Sequence, residues 1–176
     1  MRKRTHPRAF TLVELLVVMV IVAVLAVITQ VVATRMVEYA HSGACVNNLR
    51  QIGEGLRRYL GDHDNTFPQL LAGRSSLDED VPVLDVALAP YMENKSVFRC
   101  PSDRGGLADR TGTSYHWNNL VSGQNVNSMN FLGNGDITHI PLVGDKEAFH
   151  PYQQPRVNLL YADGRATSEM TFSTGN

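Results

Sequence analysis

The stretch RAFTLVELLVVMVIVAVLAVITQVVATRM, Arg8 to Met36, decides how the rest of the chain is read. From Leu12 to Ala33 it runs for 22 residues, with Glu14, Thr29 and Gln30 as its only clearly polar members. As a helix rising about 1.5 Å per residue, it would span roughly 33 Å and cross a hydrocarbon core. A carboxylate inside such a run is expensive, about 2.5–3.5 kcal/mol at mid-membrane and less near an interface. Glu14 therefore requires a reason.

Charge around the apolar run is asymmetric. Arg2, Lys3, Arg4 and Arg8 precede Phe10 with no acid among them, and removing these four leaves 12 basic against 17 acidic residues. The basic cluster predicts a cytoplasmic N-terminus, with everything after the run on the far side of the membrane. The remainder is mildly acidic, which argues against a nucleic-acid partner, since that attraction needs basic surface. No second apolar run follows, so a single-pass arrangement is expected. A plain signal anchor is one reading of this terminus. A cleaved secretory signal ending near Val31-Val32-Ala33 is another.

Helical character should continue past the membrane, because no proline occurs between Pro7 and Pro68. Cys45, Leu49, Ile52, Leu56 and Tyr59 recur at steps of four, three, four and three, which is one stripe of a helix. A helix from Phe10 to Leu60 would hold 51 residues and extend roughly 77 Å, more than any membrane is thick. Gly43, Gly53 and Gly55 each weaken it by about 1 kcal/mol relative to alanine, so a local bend or fray is expected there.

The residues Ala9-Phe10-Thr11-Leu12-Val13-Glu14, after a short basic leader and before an apolar run, resemble the class III signal of type IV pilins and type II secretion pseudopilins. The resemblance implies that a prepilin peptidase and methyltransferase cuts after Ala9. Phe10 becomes the new N-terminus and is N-methylated, and Glu14 serves assembly. It also supplies the missing reason for the acid. Cleavage exposes an α-amino group about one helical turn from Glu14, and the amine of a neighbouring copy can pair with that carboxylate. A buried ion pair adds little net stability but sets register well.

Beyond Leu60 the composition changes. Gly61-Asp62-His63-Asp64-Asn65 is rich in turn formers, and Phe67-Pro68 opens an extended or loop segment. Ser114 to Asn118, Ile137 to Val143 and Val157 to Ala162 read as short strands, with Asp163-Gly164 a tight turn and Arg165 to Phe172 a return strand. Val86 to Met92 is a short apolar segment. One long helix followed by short strands predicts an α+β fold, a small antiparallel sheet packed on the helix stripe. The expected organisation is a leader at 1–9, a transmembrane and assembly helix at 10–33, an amphipathic helix at 34–60, and a globular head outside the cytoplasm at 61–176. Cys45 to Gly53, Phe98-Arg99-Cys100-Pro101-Ser102-Asp103 and Leu160 to Arg165 are similar to motifs of pilin-like proteins of the planctomycete type. The C-terminal signature of that group is a histidine nine residues before an Asp-Gly. Here 12 residues separate His150 from Asp163-Gly164.

Outside the cytoplasm thiols oxidise, so Cys45 and Cys100 are candidates for a disulfide worth about 2–4 kcal/mol. Two buried free thiols are the alternative. Asp136, His139, Asp145, His150 and Asp163 are candidates for a metal site. The resemblance to pseudopilins, whose heads often hold calcium in a C-terminal loop through oxygen ligands, makes Asp136 and Asp163 candidates for Ca2+, and no EF-hand or HExxH spacing is present. Turn-forming aspartates and surface histidines are the commoner explanation of such residues. No nucleophile has a base and an orienting partner in sequence context, so no enzyme is expected. The expected protein is a subunit anchored in the bacterial inner membrane. Its partners are copies of itself, related subunits and the assembly machinery of a pilus or secretion system. A membrane-anchored binding protein of the cell envelope that never polymerises is the alternative.

Overall fold

The computed structural model describes residues 10–129 and 137–168. A single helix, α1, runs from Leu12 to Asp62 and has 51 residues. Its length follows from the absence of proline. In its apolar part the Thr29 and Thr34 hydroxyls bond back to the carbonyls of Leu25 and Gln30, so neither is left unsatisfied. The helix ends where the turn-rich segment begins. Asn65 N–H bonds the Leu60 carbonyl at 2.9 Å, and Asp64 and Asn65 adopt positive φ of 50° and 56°. These residue types tolerate the left-handed region better than most.

The residues fall into two compact units, divided between Val37 and Glu38. In the first, every described residue from Phe10 to Val37 is exposed. In the second, the stripe Cys45, Leu49, Ile52 and Leu56 is buried. The helix continues through Gly43, Gly53 and Gly55, and packing uses two of these glycines. A side chain at Gly53 would stand 3.1 Å from Leu160 Cδ1, and one at Gly55 would overlap the Met92 sulfur. Their small size lets the sheet and the Tyr91–Met92 segment approach the helix.

The fold is α+β. Four antiparallel strands lie in the order β1 (Tyr115–Trp117), β2 (Pro141–Asp145), β3 (Leu159–Tyr161), β4 (Ala166–Thr167). Tyr115 pairs with Asp145, Val143 with Leu160 and Leu160 with Ala166. The hydrophobic cluster joins Leu49, Ile52 and Leu56 of α1 to Trp117, Val143 and Leu160 of the sheet. Phe67 meets the Trp117 ring edge to face at 5.8 Å, and the indole N–H bonds Ser122 Oγ at 2.9 Å.

Several boundaries differ from expectation. Ile137–His139 is a 3-10 turn closed by Ile140 N–H on the Ile137 carbonyl, and the strand starts only at Pro141. The return strand is short, Ala166–Thr167, with residues 169–172 outside the described set. Val86 to Met92 is split between the short helix α2 (Leu84–Ala87) and a 3-10 turn, Ala89–Tyr91. Pro90 sits in the first positions of that turn, where its missing N–H is harmless.

Candidate functional site

Two places hold the residues singled out by sequence. At the start of α1, Thr11 and Glu14 bond reciprocally. Thr11 N–H and Oγ1–H donate to Glu14 Oε2 at 2.9 and 2.8 Å, and Glu14 N–H donates to Thr11 Oγ1 at 3.2 Å. This is a capping box, which satisfies the first free amides of the helix and places a carboxylate at the positive end of its dipole. The signal was present as Thr-x-x-Glu before an apolar run, and the sequence reading passed over it. Phe10 is exposed. Ala9, the residue before the expected cut, lies outside the described residues.

The second place is in the unit from Glu38 onward. Cys45 of α1 and Cys100 are joined in a disulfide with Cα atoms 5.1 Å apart, across 55 residues of sequence. The neighbours of both cysteines extend this staple. Asn48, one turn beyond Cys45, donates Nδ2 to the Arg99 carbonyl at 2.8 Å. Cys100 N–H donates to Ser114 Oγ at 3.1 Å, and that hydroxyl donates to Asp103 Oδ2 at 2.7 Å. Asp103 also accepts the amides of Leu107 and Ala108 at 2.9 and 2.8 Å, which anchors the start of α3 (Leu107–Thr111). Arg99 forks onto Asp109 with both terminal nitrogens, at 2.6 and 2.7 Å. The motif Phe98-Arg99-Cys100-Pro101-Ser102-Asp103 thus fastens one loop to the helix, the sheet and α3 at once.

Burial pushes the Asp103 carboxyl up. The amides of Ala108 and Leu107, the Ser114 hydroxyl and the Arg99 charge outweigh it and hold the group below its ordinary value. Asp145 behaves oppositely. Burial pushes it up, and bonds from His150 and the Asn158 amide only partly compensate. Burial likewise raises the Tyr115 hydroxyl, against the Asn48 bond that lowers it.

Glu38 is buried at the first turn of this unit and is held by Arg104 and by Ser102 Oγ. Tyr39 donates its hydroxyl to the Tyr152 carbonyl at 3.1 Å, and Ser42 Oγ donates to Gln153 Oε1 at 2.5 Å. Sequence reasoning missed this strap of residues 150–158 over the helix, because its bonds join positions more than 110 residues apart.

Among the described residues, the metal candidates do not form one group. Asp163 Oδ1 accepts its own turn's Arg165 N–H at 2.9 Å, and Gly164 has φ of 86°. That turn joins β3 to β4 and borders a groove of about 390 Å3 with Leu56, Phe67, Leu142 and Leu160. Asp145 and His150 approach to 3.3 Å in the core. Among the described residues, neither His139 nor Asp163 joins a cluster of three metal-ligating side chains. Asp136 lies outside the described residues.

A family model for the prokaryotic N-terminal methylation motif matches residues 4–29. No curated protein and no solved structure matches the chain. The motif implies processing by a prepilin peptidase and handling by pilus-type assembly machinery. α1 is long and apolar enough to cross a membrane. Together, the matched motif, the apolar helix behind it and the α+β head support a membrane-anchored protein of the type IV pilin-like or pseudopilin kind.

Proposed function

We propose that this chain is a subunit of a type IV pilus-like or type II secretion filament. It is cut after Ala9, N-methylated on Phe10, and anchored by residues 10–33 with its head outside the inner membrane. The observation that carries the reading is the methylation motif over residues 4–29, continuous with a helix whose described residues are exposed on every side as far as Val37. An apolar surface of that extent needs either lipid or other helices around it. In the membrane it has lipid. After extraction into a filament it has the same helix of neighbouring copies.

The capping box gives Glu14 an intramolecular partner before assembly. On this reading the methylated Phe10 amine of a neighbour replaces or joins Thr11 at that carboxylate and sets the axial step. The head motifs support a place near the H-x9-DG group of pilin-like proteins. Asp163-Gly164 forms the β3–β4 turn beside Arg57 of α1, whereas His150 sits in the core beside Cys100.

Intact-mass and N-terminal analysis of the native product is the test. A chain beginning at N-methyl-Phe10, cross-linking to itself through cysteines placed near Glu14, is expected. Retention of Met1, or a start at Thr34, would overturn the proposal.

A further inference from the structure

Two exposed tyrosines stand together where the head unit begins. Tyr39 is 54% exposed and Tyr152 45%, and the Tyr39 hydroxyl donates to the Tyr152 carbonyl at 3.1 Å. Ser42, three residues further along α1, donates to Gln153 Oε1 at 2.5 Å. The strap that carries Tyr152 is thus fastened to α1 at this level. Next to the pair, a groove of about 250 Å3 is lined by Glu38, Arg104, Phe149 and Pro151, and Pro151 is exposed. Arg104 is already paired with Glu38, and the exposed Glu147 borders the same groove. This surface therefore offers aromatic and apolar groups with no surplus of positive charge.

We propose, on the anchored reading above, that Tyr39, Pro151 and Tyr152 seat in the phospholipid headgroup layer of the bilayer that holds residues 10–33. All three belong to the head unit. Tyr39 follows Ala33 by six residues on α1, a rise of about 9 Å. The headgroup layer adds roughly 5–8 Å beyond the hydrocarbon on each side. Helix side chains lean back toward the N-terminus, which brings the Tyr39 ring into that layer. Tyr152 is tied to Tyr39 and stands at the same level.

Tyrosine suits this place. Its ring is apolar and its hydroxyl polar, so it gains from a layer that is neither hydrocarbon nor bulk water, and aromatic belts mark both faces of a bilayer for that reason. Pro151 adds apolar surface with no N–H that would need a partner. With Arg104 paired and Glu147 beside it, the attraction comes from the rings, and zwitterionic lipid suffices. The sequence concealed the surface because Tyr39 and Tyr152 are 113 residues apart.

The test uses the full oxidised chain in nanodiscs of zwitterionic lipid. Trp117 is the single tryptophan and is buried, so wild-type emission supplies the background. Tyr152→Trp keeps an aromatic ring with a polar edge at an exposed position. Lipids brominated high on their acyl chains should quench its added emission at least about twofold more strongly than the Trp117 signal. The same emission should be shielded from acrylamide in the water. Leu120→Trp places the same ring at an exposed head position outside this surface and should show the reverse. Equal quenching by lipid in the two variants would mean that the head meets the bilayer with no chosen face, and would overturn the proposal. Quenching of Tyr152→Trp no stronger than that of wild type, with the chain still held in the discs, would overturn it and leave the anchored reading standing. Shielding from acrylamide without quenching by lipid would assign the surface to another protein copy, which also overturns it. A chain that leaves the discs would overturn the anchored reading as well.

Discussion

Asn48 of α1 donates to the carbonyl of Arg99 at 2.8 Å, one residue before the cysteine that is bonded to Cys45 one turn earlier. A covalent and a polar link thus bind the same two segments side by side. The side-chain bond orients the loop, and the disulfide restricts the unfolded chain. Asn48→Ala should lower head stability by about 1–2 kcal/mol, the usual effect of removing one partner from a part-buried hydrogen bond. Urea denaturation of the oxidised protein measures it, and thiol counting should show the disulfide still formed.

Replacing both cysteines by serine should lower stability by about 2–4 kcal/mol, because the link closes a long loop. Denaturation of that variant beside the wild-type chain checks the figure. A loss below about 1 kcal/mol would mean that the surrounding bonds suffice without the covalent one.

Thr11→Val removes the hydroxyl that bonds both to and from Glu14. The first turn of α1 should fray while the rest of the helix is unchanged, with a loss of about 1 kcal/mol confined to that end. Hydrogen exchange in micelles should show faster exchange at residues 11–14 alone. Glu14→Ala should insert into membranes normally and fail to assemble in register. Sheared filaments of wild-type yield from that variant would contradict the assembly role.

Acid stability should follow Asp103. Its carboxyl is held below the ordinary value of 3.8, so it binds protons less readily in the folded than in the unfolded chain. The stability it contributes is fully present above the unfolded value and is lost as the pH falls through the folded one. Asp103→Asn should lower stability at about pH 7 and flatten the fall below about pH 4. Asp145, raised by burial, has the opposite sign and should not contribute to that acid limb. Denaturant midpoints across the acid range, compared between variant and wild type, separate the two.

Gly144 lies in β2 between His116 and Leu159. A Cβ there would stand 2.8 Å from Leu159 Cδ2 and 3.1 Å from His116 Cε1. Gly144→Val should destabilise the head by about 1–3 kcal/mol through overpacking, and thermal unfolding measures it.

The sequence by itself determined the long helix, its exposed apolar part and the stripe from Cys45 to Leu56, because those signals are local and periodic. Ala9-Phe10-Thr11-Leu12-Val13-Glu14 was legible as a processing signal for the same reason, since its meaning lies in adjacent residues. The α+β class was legible from one long periodic segment followed by short strands. Strand limits were less so, because Pro141 and the turn before it yield to pairing with neighbours that sequence does not name.

Only the tertiary structure decided which residues meet. It bonded Cys45 to Cys100, put Asn48 on Arg99, and buried Asp145 beside His150 at the start of the 150–158 strap. Each of these contacts joins positions remote in the chain. Their geometry is set by the helix and sheet closing over one core, and no local pattern encodes that closure.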